Sequence, residues 1–245
     1  MLAIIGGTGL TELANLTITH RHDATTPLGN ASCGVIQGTL DGSPMLFLPR
    51  HGVTHSIPPH RINYRANLWA LQQAGATRIV SLNAVGAIDP FLKPGSLMLP
   101  DQLIDYTSGR DATFFDGDFK PLEHIEFSQP YDETLRHALC LASEQAGIGL
   151  EEGGTYACTQ GPRLETAAEI ARIAMEGCRV VGMTGMPEAS LARELAIPYA
   201  CLALVVNPAA GVVDETIPMD RIQAALSLAA QRAERVIVSL SQQAL

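Results

Sequence analysis

Apolar residues in this chain fall into short runs punctuated by turn-forming residues, and stretches of helical period separate those runs. The first run, Leu2-Ala3-Ile4-Ile5, stops at Gly6-Gly7-Thr8-Gly9. It predicts a buried strand opening into a glycine-rich turn, a conformation that bares backbone amides to an anion. Residues 33 to 49 alternate around Asp41-Gly42 and predict a hairpin. After the proline-rich Ile57-Pro58-Pro59, the spacing of Ile62, Ala66, Trp69 and Leu71 predicts a helix from His60 to Ala74.

Strands are predicted next at Arg78 to Ala84 and near Leu97 to Ile104. Residues 105 to 130, rich in Asp, Gly, Phe and Pro, read as a long loop of the kind that carries function or subunit contacts. A helix from Asp132 to Ala146 follows, then strand 154 to 159, helix 165 to 175, strand 179 to 182, helix 187 to 195, strand 198 to 206 and helix 219 to 240. This alternation defines an α/β fold: a single domain over residues 1 to 245, with a central mixed, largely parallel sheet flanked by helices. In such sheets ligands bind at the carboxyl ends of the strands.

Composition narrows the function classes. At 245 residues and 47% hydrophobic, the chain can bury a sizeable core. A net charge of -9 with 16 Lys and Arg argues against nucleic acid or an anionic membrane as partner, so any anion must be bound locally. Five cysteines, of which the nearest two, Cys140 and Cys158, are 18 positions apart, suggest neither a metal knuckle nor a disulfide framework and read as buried thiols of a reducing compartment. With no basic leader and no apolar run near the ~20 residues of a membrane span, a soluble cytoplasmic protein is expected.

The polar clusters at predicted strand ends are Thr8, Arg50-His51, Asn83-Ala84 and Met183-Thr184. Together they are a donor set suited to a small oxyanion such as phosphate, with Arg50 able to make a bidentate, charge-assisted contact. The glycine turn fits no dinucleotide fingerprint, since its third glycine position holds Glu12, and no phosphate-loop lysine follows. His51, His55 and His60 lie close in sequence, but Gly52, Val53, Thr54 and Pro58-Pro59 argue against a helix presenting two of them to a metal, and no metal is expected. A catalytic serine elbow and a zinc-protease motif are also missing.

Taken in order along the chain, Ile5-Gly6-Gly7-Thr8-Gly9, Pro49-Arg50-His51-Gly52, Asn63-Tyr64-Arg65-Ala66-Asn67, Gly161-Pro162-Arg163, Gly182-Met183-Thr184, Pro187-Glu188 and Asn207-Pro208 resemble the trimeric nucleoside phosphorylases. The resemblance implies phosphorolysis, in which phosphate attacks the sugar C1′ and releases a purine. Thr8, Arg50, His51, Asn83, the Ala84 amide and Thr184 match the family's phosphate-site positions, and Met183 its ribose contact. It further implies a homotrimer and no cofactor, inorganic phosphate being a co-substrate.

Two positions bear on the base. Asn207 can donate to a 6-oxopurine, and Glu165, next to Leu164 of the substrate pocket, can accept the N1 proton that only the oxo form carries. Adenine presents the opposite pattern, and an unpaired buried carboxylate facing its lone pair costs at least a few kcal/mol. Asn207 and Glu165, with His51 of the phosphate positions that the resemblance implies, are the expected catalytic set. At the 5′ end the family's histidine is replaced by Met219, which with Ile222, and His124 of a neighbouring subunit, suits an apolar methylthio group. The combination points to methylthioinosine, with methylthioadenosine or an ordinary 6-oxopurine nucleoside as alternatives.

On the residues alone, bland alternatives stay open: Glu165 as a first-turn helix carboxylate, Asn207 as a turn residue and Met219 as a core residue of an amphipathic helix. A nucleoside-binding module without catalysis is the remaining functional alternative.

Overall fold

The computed structural model describes residues 1–9, 13, 15–214 and 218–243. In chain order its elements are β1 (Leu2–Gly6), β2 (Leu16–Arg21), β3 (Thr25–Thr26), β4 (Gly29–Asn30), β5 (Ile36–Leu40), β6 (Ser43–Pro49), α1 (Tyr64–Gln73), β7 (Arg78–Ala87), β8 (Leu97–Leu99) and β9 (Gln102–Asp105). They continue with α2 (Glu133–Ala146), β10 (Leu150–Glu152), β11 (Thr155–Cys158), α3 (Ala167–Met175), β12 (Cys178–Gly182), α4 (Glu188–Glu194), β13 (Tyr199–Pro208) and α5 (Met219–Ser241). Eleven of the strands form one mixed sheet, as expected for the α/β class.

The sheet is organised around β7. Its first residues pair in parallel with β1 on one side and β13 on the other, while Gly86 and Ala87 reach antiparallel β12. β1 also pairs in parallel with β6, so β6, β1, β7 and β13 run side by side; β1 and β6 stop just past the level of Ser81, and β7 and β13 run on together to Ala87 and Pro208. Every residue of β1 is buried, because helices cover both faces of this part of the sheet, which accounts for the unbroken apolar run in its sequence. Ile5, Leu48, Leu68 and Leu71 pack on one face, and Ile4, Phe47, Leu139, Val236 and Ile237 on the other.

Local chemistry sets the element boundaries, and several differ from the sequence expectation, among them β7, which runs to Ala87 rather than ending at Ala84 because it stays paired with β13. The first helix begins at Tyr64 rather than His60, because the Asn63 side chain accepts the Ala66 N–H and caps it; His60 lies in a short 3-10 turn, Pro59–Arg61. The strand expected over residues 97 to 104 is two strands, β8 and β9, interrupted at Pro100-Asp101. The helix expected from residue 165 starts at Ala167 behind a Thr166/Glu169 capping box, so Glu165 stands outside the helix and its first-turn alternative falls.

The hairpin turn is as expected, with Asp41 and Gly42 both at positive φ (47° and 82°). β2, absent from the sequence expectation, is exposed along most of its length, and its alternation is confined to the four residues Leu16-Thr17-Ile18-Thr19; β3, β4 and β10 are too short to leave a pattern. Residues 106–132 form the long loop, without helix or strand. It is tied to the sheet by Arg110, which donates to the Met186 carbonyl at 2.5 Å and the Gln160 carbonyl at 2.9 Å. Among the described residues no helix is long and apolar enough to cross a membrane. All five cysteines are free thiols; Cys158, Cys178 and Cys201 are buried, whereas Cys33 and Cys140 are only half-buried.

Candidate active site

Where β1, β6 and β12 end beside the last residues of β7 and β13, the chain encloses a cavity of about 490 Å³. It collects Thr8, Arg50, His51, Ala84, Leu164, Glu165, Met183, Thr184, Asn207, Met219 and Ile222, side chains spread over more than 200 positions of sequence. Two expected members are not on its wall. Asn83 is buried one layer behind, and His124 is exposed on the long loop and does not line the cavity of its own chain.

At the anion end the glycine turn packs directly on β7 and Arg50. A Cβ added at Gly7 would come within 2.4 Å of the Leu82 carbonyl oxygen and 3.0 Å of Arg50 Nη1, so only glycine permits this approach. Arg50 itself is fully buried, and its fork is already occupied. Nε and Nη2 donate to the two oxygens of buried Glu188 at 2.7 and 2.8 Å, Nη2 to Asn83 Oδ1 at 3.3 Å and Nη1 to the Leu82 carbonyl at 3.2 Å. Of five N–H groups, one on Nη1 is left for a ligand. The expected bidentate grip of Arg50 on an anion is thereby corrected. Burial opposes the guanidinium charge, but Glu188 more than offsets it and holds the Arg50 pKa above its ordinary value.

Asn83 is corrected too. Its carboxamide oxygen accepts from Ser81 at 2.6 Å as well as from Arg50, and its Nδ2 donates to Thr184 Oγ1 at 2.9 Å. Its groups face protein, and its effect is to leave the Thr184 O–H as a donor. His51 Nδ1 lies 2.8 Å from the Ile57 carbonyl, which can only accept, so Nδ1 carries the proton and Nε2 is left with a lone pair. Burial, and then the Arg50 charge, lower the His51 pKa to about 4 and keep the ring neutral at physiological pH.

At the far end, the Thr159 hydroxyl donates to Glu165 Oε1 at 2.5 Å, leaving Oε2 for another partner. The Thr159 backbone N–H is fixed to the Gly182 carbonyl at 2.8 Å, so the end of β11 positions the carboxylate. Asn207 sits at a register shift in β13 between Val205 and Asn207, an irregularity that re-aims side chains. One of its amide protons goes to the Pro208 carbonyl at 2.6 Å; the other and Oδ1 have no hydrogen-bond partner among the described residues. Met219 opens α5 and is 73% exposed, which overturns the core alternative and puts its thioether on the cavity rim beside half-buried Ile222.

Sequence reasoning quoted Pro187-Glu188 as part of the resemblance but gave Glu188 no role, and it missed Thr159 and Arg110. Glu188 offered one signal, a carboxylate inside an otherwise small and apolar stretch, Gly185-Met186-Pro187-Glu188-Ala189. Thr159 and Arg110 offered none, since their partners are carbonyls and a carboxylate that only the fold brings near.

A donor-lined anion end, a base-reading pair and an apolar rim at the strand ends of a mixed α/β sheet are the parts of a nucleoside-processing enzyme. The model of the phosphorylase superfamily matches residues 1–242, and the chain belongs to that superfamily. It is 54% identical over 224 residues to a probable S-methyl-5′-thioinosine phosphorylase of Pseudomonas syringae pv. tomato, covering 91% of each chain. It is 46% identical to a probable 6-oxopurine nucleoside phosphorylase of Thermococcus kodakarensis, over 86% of this chain and 80% of the relative. Among solved structures, the methylthioadenosine phosphorylase of Schistosoma mansoni in complex with adenine superposes with a TM-score of 0.92 at 29% identity, over 98% of this chain and 90% of the other.

Proposed function

We propose that this protein cleaves S-methyl-5′-thioinosine with inorganic phosphate, yielding hypoxanthine and 5-methylthioribose 1-phosphate. The observation that carries the proposal is the joint placement of Asn207 and Glu165 at one end of the cavity and Met219 and Ile222 on its rim. The first pair fits the N7, O6 and N1–H pattern of a 6-oxopurine; the second fits a thioether and would leave a 5′-hydroxyl unpaired. The relatives named for thioinosine and for 6-oxopurine nucleosides support the same base.

Phosphate, held by the Thr8 turn, the free Arg50 N–H, the Ala84 amide and the Thr184 hydroxyl, attacks C1′ as the bond to purine N9 breaks. His51 Nε2 accepts a hydroxyl proton from the bound phosphate or the sugar. The departing electron pair is stabilised by donation from Asn207 to N7, and removing such a donor costs about 100-fold or more in rate. Met183 packs against the ribose. No cofactor or metal is invoked. A homotrimer in which His124 of one subunit closes the cavity of the next, in a single-domain cytoplasmic enzyme, completes the proposal.

The test is purine release from methylthioinosine, methylthioadenosine and inosine, each with and without phosphate. Phosphate-dependent release with the highest kcat/KM on methylthioinosine is expected. Equal release without phosphate would make the enzyme a hydrolase and refute phosphorolysis.

A further inference from the structure

The buried ion pair behind the anion site has a charge consequence. Arg50 and Glu188 are both 0% exposed and joined through two contacts of 2.7 and 2.8 Å, and the Tyr199 hydroxyl closes the far side of the carboxylate at 2.9 Å. Among the described residues lining the cavity Arg50 is the one permanent cation, and His51 is neutral. The phosphate end is therefore built of oriented dipoles around an ion pair whose charges cancel.

We propose that Glu188 is a positioning residue that neutralises Arg50, so that phosphate binds without a net positive charge and keeps its nucleophilicity. This rests on the phosphorolysis proposed above. In that reaction a phosphate oxygen forms the bond to C1′ while the C1′–N9 bond breaks and its electron pair leaves with the purine, so negative charge moves from phosphate to base. A net cation at the phosphate end would bind the reactant better than the transition state, which lowers KM and kcat together. Glu188 also takes the two N–H groups with which Arg50 would otherwise chelate an anion.

Glu188→Gln keeps the shape and an acceptor for Arg50 but removes the charge. It is expected to lower the phosphate KM and kcat by about tenfold each, the scale of one partly screened unit charge across a hydrogen bond. It is also expected to tighten the binding of inorganic phosphate, measured by calorimetry without nucleoside, by a similar factor; Glu188→Asp, which retains the charge, is expected to do neither. An unchanged or raised phosphate KM and Kd in folded Glu188→Gln would overturn the inference, because a merely structural role weakens binding. The wild-type protein gives a second test should that variant not fold: its phosphate Kd is expected to change less than twofold between ~0.05 and ~0.5 M salt, and a steep rise would overturn the inference. Purine release that ignores phosphate would refute phosphorolysis, while the calorimetry would still decide whether Glu188 sets the charge of the anion end.

Discussion

Replacing Thr159 by Val tests whether Glu165 reads the base. The substitution is nearly isosteric, and the Thr159 N–H keeps its 2.8 Å bond to the Gly182 carbonyl, so β11 stays in place. What is lost is the 2.5 Å donation to Glu165 Oε1, together with a long 3.4 Å contact to the Gly182 carbonyl. A hydrogen bond to a charged group contributes about 1.5 to 3 kcal/mol, and Glu165 is only half-buried, so the lower end of that range applies. Some 1.5 kcal/mol corresponds to about a tenfold loss of kcat/KM on a 6-oxopurine nucleoside, whose N1–H needs the second oxygen held in place. A 6-aminopurine nucleoside has no such proton and is expected to lose less than threefold. Steady-state kinetics on methylthioinosine and methylthioadenosine measure the ratio, and Thr159→Ser is expected to restore it. Equal losses on both substrates would refute the assignment, because the hydroxyl would then be supporting the loop rather than aiming the carboxylate.

Three further outcomes are expected. Asn207→Asp turns a donor toward the base into an acceptor and is expected to shift the preference from methylthioinosine toward methylthioadenosine by at least tenfold in kcat/KM; an unmoved ratio would mean that Asn207 does not read the base. Met219→His is expected to lower kcat/KM on methylthioinosine and raise it on inosine without moving Tm by more than a degree or two, since the side chain is 73% exposed and little packing is lost. The folded-state pKa of His51, about 4, lies below its ordinary 6.5, so the unfolded chain takes up the proton first. His51 then contributes full stability above pH 6.5 and loses up to about 3 kcal/mol as the pH falls toward 4. Urea midpoints against pH should be flatter for His51→Asn than for wild type over that window; parallel curves would refute the burial argument.

The parts of the site legible in the sequence are those that the strand pattern itself delivers. A buried parallel strand leaves a continuous apolar run and a turn at its carboxyl end, so Thr8, Arg50, Thr184 and Asn207 could each be placed at or near a strand end before any pairing was known, whereas Ala84, expected at the end of its strand, lies inside β7, which stays paired with β13 as far as Ala87. What stayed hidden depends on pairing at long range. Arg50 and Glu188 are 138 positions apart, and nothing in either neighbourhood announces the other. The Glu165 environment was misread for a different reason: Thr166 can form a capping box only if the helix starts after it, and the competing start at residue 165 has the same apolar periodicity. The exposure of Met219 was likewise beyond periodicity, which fixes the face of α5 but not whether a neighbouring element covers its first turn.

Residue type set the chemistry of the anion end less than the direction of each hydrogen bond did. Arginine, histidine and asparagine all suggest donors, and a list of types yields an abundant set for an oxyanion. In the fold, Glu188 takes the arginine fork, the Ile57 carbonyl takes the histidine proton and Thr184 takes an asparagine proton. A ligand then meets one N–H of Arg50, the lone pair of His51 Nε2, the Thr184 O–H and the backbone amides of the opening turn. That pattern matches an ion with several acceptor oxygens and one O–H of its own, which is the make-up of hydrogen phosphate near neutral pH. The selectivity proposed for the site therefore resides in contacts the ligand never touches, and substitutions at Glu188 or Asn83 should alter it as surely as substitutions at Arg50 or Thr184.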